Sequence, residues 1–289
     1  MCDQDQLNAM GRVSRREFTR MGVLAGAGAT MAACSTSSTA QGALTERMVT
    51  FDAPGGTMDG LFVHPSSGSH PGVILWPDIA GLREAKMAMG RRLAADGYAV
   101  LVANPYYRSV SGVQFEDFEA FREKNGFQVV GPWREANTPE NIMESARGIV
   151  AWLDAQDAVD SARGIGNQGY CMTGAWTIQA AAAVPSRNKA AASFHGGGLV
   201  GDAPTAPINL LDDLADDAKV LIAIAKNDDE RAPDEKDKLR AAAEAAGADV
   251  EIEVYDGDHG WTVPDSPVYA EAAAEKAYGR LLALYRAAL

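Results

Sequence analysis

Short apolar runs that alternate with helical segments constrain this chain more than any other feature. Runs of five or six residues stand at 72–76 (GVILW), 98–102 (YAVLV), 165–170, 190–194, 220–225 and 250–255. Several have no polar interruption, as suits strands buried on both faces. Between them, 83–96, 138–156, 175–184 and 234–246 carry helical patterns, and a closing helix is expected over 267–288. Thr138 and Pro139 read as an N-cap and a first helical residue, and Gly97 as a helix stop. An antiparallel pair, 48–52 and 60–64, is expected to open the domain across Pro54-Gly55-Gly56. The pattern predicts an α/β fold with a mostly parallel central sheet flanked by helices on both faces. Residues 106–137 have no clean period and read as an excursion over one edge of the sheet, where loops shape pockets.

The chain has 289 residues, enough for one large domain, and a formal net charge of −13. That charge, with no clustering of Lys and Arg, excludes a nucleic-acid surface. The first 34 residues differ from the rest. Ser14-Arg15-Arg16-Glu17-Phe18 resembles a twin-arginine export signature, followed by an uncharged run from 21 to 33 that is too short to span a bilayer. The run ends in Met31-Ala32-Ala33-Cys34, which resembles a lipobox with Cys34 as lipid attachment site. The expected organisation is an export signal over 1–34, a linker over 35–44 and a single α/β domain over 45–289, in a periplasmic protein that is either soluble or lipid-anchored. Of the three cysteines, Cys2 lies in the leader and Cys34 at its end, which makes Cys171 the candidate for chemistry in the body.

Gly169-Tyr170-Cys171-Met172-Thr173-Gly174 sits where a buried strand turns directly into an Ala-rich helix. Such a turn forces its central residue into a strained conformation and presents it as a nucleophile, with small residues needed on either side. Gly169 fits, whereas Thr173 is expected to crowd the turn. The helix N-terminus beside the sulfur favours the thiolate. Two later strand ends supply partners in the order acid, then histidine. Asp228 follows 220–225, with Asp229 as the alternative acid, and His259 follows 250–255. A histidine between an acid and a thiol can accept the thiol proton and later return it, so a Cys171–His259–Asp228 triad is expected.

With these motifs in place, residues 45–288 resemble the dienelactone hydrolase (carboxymethylenebutenolidase) family of the α/β-hydrolase superfamily. The resemblance rests also on Trp76-Pro77-Asp78-Ile79-Ala80-Gly81 and on Tyr106-Tyr107-Arg108. It implies that Asp78 is the acid that modulates the resting thiol. It further implies that the backbone N–H groups of Ile79 and Met172 form an oxyanion hole, and that Arg108 binds a substrate carboxylate. The family's second arginine, four positions after the histidine, is Val263 here. One anionic contact to dienelactone is therefore missing, which affects ester or lactone hydrolysis in general less than it affects that substrate. His195 and Gly196, in Phe194-His195-Gly196-Gly197-Gly198, are expected as a pocket wall. No cofactor and no metal site is expected, since His64 and His70 have no carboxylate or cysteine at ligand spacing. The expected activity is hydrolysis of small esters or lactones through an acyl-thioester. The alternatives are an exported ligand-binding protein without turnover, and a thioesterase or peptidase on the same fold.

Overall fold

A computed structural model describes residues 43–289. The export signal, Cys34 and all but the last two residues of the linker lie outside the described residues. Eight strands form one sheet in the order β1-β2-β4-β3-β5-β6-β7-β8. β1 (Leu44–Ala53) and β2 (Gly56–Pro65) make the opening antiparallel hairpin, and β2 is also antiparallel to β4. From β4 onward, β3 (Gly72–Trp76), β4 (Ala99–Ala103), β5 (Ile165–Tyr170), β6 (Asn188–Phe194), β7 (Lys219–Ala225) and β8 (Asp249–Tyr255) run parallel. The strand order reverses between β3 and β5, the crevice where open α/β sheets hold ligands.

The period-two direction of side chains divides the apolar runs between two cores. In β3, Ile74 and Trp76 enter one core while Val73 and Leu75 enter the other. In β7, Val220 and Ile222 pair with the first, and Leu221, Ala223 and Ala225 with the second. The first core is covered by α4 (Pro139–Asp154), α5 (Gly174–Ala183) and α7 (Glu235–Ala246), through Ile142, Ile149, Ile178 and Leu239. The second is covered by α1 (Glu84–Ala95) and α8 (Glu271–Ala288), through Leu93, Ala277, Leu281 and Tyr285. The expected helices on both faces are therefore present. Thr138 caps α4 by accepting from the Asn141 N–H, as its side-chain oxygen satisfies a donor left over at the helix start.

The excursion is more ordered than its sequence suggests. It contains α2 (Phe118–Glu123) and α3 (Gly126–Glu135), and a short α6 (Lys226–Arg231) follows β7. Asp117 caps α2, accepting from the Ala120 N–H at 2.7 Å. What replaces amphipathic periodicity is a cluster of rings: Phe121 meets Phe115 and Phe127, each at 5.1 Å between centroids, and Trp133 meets Tyr106. This cluster forms a third, smaller core with Ile79, Ala80, Val130 and Cys171, so the excursion covers the end of β5.

Candidate active site

The ends of β3, β5, β7 and β8 all point to one edge of the sheet because those strands are parallel. Cys171 follows β5 directly and has φ = 56°, in the left-handed region. A non-glycine residue held there costs on the order of 1–3 kcal/mol and persists only if its surroundings enforce it. Several contacts do so. The Tyr170 N–H donates to Thr173 Oγ1 at 2.9 Å, and that hydroxyl donates to the Trp76 carbonyl at 2.9 Å. The Gly197 N–H donates to the Cys171 carbonyl at 3.3 Å. A Cβ on Gly169 would lie 2.1 Å from the Thr173 carbonyl oxygen, and one on Gly174 would lie 2.4 Å from Gly196 Cα. Glycine is thus required at both places. Thr173 does not crowd the turn; its fully buried hydroxyl closes it and ties it to the end of β3.

His259 is buried in the loop after β8, with 7% of its surface exposed. Its Nδ1 lies 2.6 Å from Asp228 Oδ2, in the first turn of α6. A carboxylate there accepts from an Nδ1–H and fixes the orientation of the ring. Asp229 is paired instead with Lys236 Nζ at 2.6 Å, so of the two acids it is Asp228 that meets the imidazole. The residue before it also takes part: Asn227 Oδ1 accepts the His259 N–H at 2.9 Å. Sequence reasoning missed Asn227, although its place beside the acid is a signal of a kind.

The 194–198 segment connects the two halves. Gly196 packs on Gly174 behind the elbow. His195, itself at φ = 41°, sets its ring T-shaped to that of His259, with centroids 4.9 Å apart. His195 Nε2 meets Thr262 Oγ1 at 3.1 Å. Burial, then proximity to His259 and Lys86, holds the His195 imidazole well below its usual pKa, so it is neutral.

Ile79 and Met172 share the third core with Cys171. The Ile79 carbonyl accepts from the Tyr106 hydroxyl at 2.7 Å, and that oxygen also lies 3.6 Å from Met172 Sδ. Tyr106 therefore stands between the two residues expected to supply oxyanion donors. Beside the elbow, Met172 and Trp176 line a cavity of about 400 Å³ with Gly131, Arg134 and Asn137.

Asp78 and Arg108 are each engaged by neighbouring groups of the chain. Asp78 is buried, and both oxygens are occupied: Oδ1 by the Ala80 N–H and Arg83 Nη1, Oδ2 by Arg83 Nη2. Lys86 Nζ lies 3.0 Å from the same Oδ2, an ion pair without hydrogen-bond alignment. Burial alone would raise the Asp78 pKa, but Arg83 and Lys86 override it and hold the carboxyl far below the usual carboxylate range. Arg108 lies against the β1–β2 turn, where a Cβ on Gly55 would be 1.5 Å from its Nη1. Its Nη2 donates to the Asn141 carbonyl and to Ser145 Oγ on α4. Val263 is buried in the core under α1 and α8, an apolar site. Among the described residues, no cluster of three His, Cys, Asp or Glu side chains has the geometry to hold a metal ion.

Comparison with known proteins agrees with this architecture. Proteins of Salmonella typhi and Escherichia coli K12, provisionally named carboxymethylenebutenolidases, are each 28% identical to this chain. The first alignment covers 84% of this chain and 88% of the relative, the second 76% and 78%. A Klebsiella pneumoniae crystal structure, provisionally a dienelactone hydrolase, superposes with a TM-score of 0.70 at 24% identity, over 84% of this chain and 99% of that one. A dienelactone hydrolase-like promiscuous phosphotriesterase from metagenomic libraries gives 0.66 at 21%, over 85% and 98%. The sequence model of the dienelactone hydrolase family matches residues 58–289, most of the described chain. The chain belongs to the dienelactone hydrolase family and is a carboxylic ester hydrolase of the α/β-hydrolase fold.

Proposed function

We propose that this enzyme hydrolyses small esters or lactones through a Cys171–His259–Asp228 triad. The observation that carries the reading is the 2.6 Å contact from His259 Nδ1 to Asp228, at the same sheet edge where Cys171 is held in the left-handed elbow. With Cys171 in its reduced form, His259 Nε2 takes the thiol proton, and the thiolate adds to the substrate carbonyl. The N–H groups of Ile79 and Met172 stabilise the resulting oxyanion. Collapse breaks the carbon–oxygen bond of the ester, and the leaving alkoxide takes the proton from His259, leaving an acyl-thioester on Cys171. Water then gives a proton to His259 and adds to the thioester. Release of the acid returns that proton to the sulfur. In a lactone, the leaving alkoxide remains part of the acyl group. The relatives' name, which refers to a butenolide, supports a lactone as one such substrate.

In this reading Asp78 shapes the loop that carries Ile79, and Arg108 braces α4 against the hairpin. His195 and Gly196 wall the site. The leader supports export by the twin-arginine route, with Cys34 as an anchor; cell fractionation of the intact chain and its Cys34→Ala form tests that. The central test is Cys171→Ala against p-nitrophenyl acetate and a simple enol lactone, with acid-quenched mass spectrometry of the native enzyme. Loss of turnover and a native acyl adduct are expected. Undiminished activity in Cys171→Ala would overturn the assignment.

A further inference from the structure

Arg83, just before α1, is fully buried and holds two carboxylates distant in sequence. Toward Asp78 it donates from Nη1 to Oδ1 at 2.7 Å and from Nη2 to Oδ2 at 3.0 Å. Toward Asp265 it donates from Nε to Oδ2 at 2.7 Å and from Nη2 to Oδ1 at 2.9 Å. Nη1 also reaches the Gly81 carbonyl at 3.2 Å. A planar guanidinium can serve two carboxylates in this forked way, and an ammonium cannot.

Each carboxylate secures a different part of the site. Asp78 opens the turn that carries Ile79, accepting the Ala80 N–H on its side chain and the Gly81 N–H on its carbonyl. Asp265 follows His259 in the loop leading to α8, and its Oδ2 also accepts the Phe118 N–H, the first residue of α2, at 3.0 Å. The Phe118 ring lies beneath the guanidinium, 5.7 Å from Cζ. One side chain thus ties together the Ile79 loop, the histidine loop and the cover whose Phe121 packs in the Cys171 cluster. A buried ionic cluster seldom improves stability over apolar packing, so the arrangement calls for another use.

We propose that Arg83 is a positioning residue for the esterase reaction. It keeps the Ile79 N–H in register with His259 and holds α2 closed over Cys171, so that the three segments move as one unit. This rests on the triad reading above.

The test uses the full chain with Asp265→Asn, Arg83→Lys, Arg83→Gln and the double variant Arg83→Gln/Asp265→Asn. The readouts are kcat and KM on p-nitrophenyl acetate and amide hydrogen exchange by mass spectrometry. Asp265 is partly exposed, so its Asn variant is expected to fold. In Asp265→Asn, kcat should fall at least about tenfold with KM within about threefold, which is the signature of an interaction made in the transition state. Exchange should quicken together in 78–83, 118–123 and 259–266, and not in the β1–β2 hairpin. Arg83→Lys should keep the fold but not kcat, and the double variant should be no worse than the weaker single. Unchanged kcat in Asp265→Asn, faster exchange confined to 259–266, or effects that multiply in the double variant would overturn the proposal. If Arg83→Gln does not fold, Asp265→Asn and Arg83→Lys decide. Full activity in Cys171→Ala would remove the triad reading alone, since the exchange pattern judges the clamp without reference to turnover.

Discussion

Two carboxylates at the same edge of the sheet, Asp78 after β3 and Asp228 after β7, have opposite surroundings. Asp228 keeps about a fifth of its side chain exposed (22%), offers Oδ2 to a histidine and has Oδ1 3.4 Å from the exposed Arg231. Asp78 is sealed from solvent and faces two cations. The first arrangement orients the imidazole through Nδ1, the geometry that the proposed triad requires. The second holds its carboxylate ionised between two buried cations, which suits a support for the proposed oxyanion loop. Position at a strand end brings an acid to the active edge, but its partners decide whether it joins the chemistry or the frame.

The sharpest break between the two is kinetic. Asp228→Asn should lower kcat by about 10³–10⁴-fold, the scale seen when a triad loses its carboxylate. Asp229→Asn, which disturbs only the pair with Lys236, should stay within about twofold. Equal losses in steady-state esterase assays would erase the distinction between the neighbouring acids. Next is Asp78→Asn, whose main effect should be on stability. It leaves Arg83 with Asp265 alone and Lys86 buried without a close counter-charge. Removing one member of a buried ionic cluster costs about 3–5 kcal/mol, measurable as a shift in the urea midpoint.

A finer test asks whether the proposed oxyanion loop needs its second support. Tyr106→Phe removes the hydroxyl that holds the Ile79 carbonyl. Leaving a buried acceptor unsatisfied costs about 1–3 kcal/mol. If that strain moves the Ile79 N–H, kcat should drop roughly tenfold with KM nearly constant. A change in KM alone would assign Tyr106 to substrate binding instead.

The same contrast explains what could be read from sequence. Cys171, Asp228 and His259 each follow an apolar run, so strand periodicity predicts their places without knowledge of distant contacts. The sheet was legible for the same reason. Arg83 and Asp265 stand 182 residues apart and no local pattern links them. Arg108 occupies the position of a substrate-binding arginine in the family's motif, but Ser145 and the Asn141 carbonyl on α4 take up its guanidinium. The helices of 118–135 leave no periodic signal because their rings pack around Phe121 rather than along one helical stripe. By size alone Thr173 should crowd its turn, whereas its hydroxyl makes the contact that matters.

Lys86 offers the smallest and most specific test of the buried frame. Its ammonium lies 3.0 Å from Asp78 Oδ2 and 3.9 Å from the centre of the Tyr170 ring. Burial lowers its pKa from 10.5 to about 8, with the attraction of Asp78 only partly opposing this. Between these values the unfolded chain binds a proton that the folded chain does not, so this group makes stability rise with pH. Below about 8 both states are charged and the cost is fully present; above 10.5 both are neutral and it is gone. Lys86→Met, which fills much the same volume without a charge, should abolish this alkaline rise. The measurement is the urea midpoint of native and variant chains at pH 7.5, 8.5 and 9.5. A slope that survives the substitution would assign the rise to another group and remove Lys86 from the titrating part of the frame.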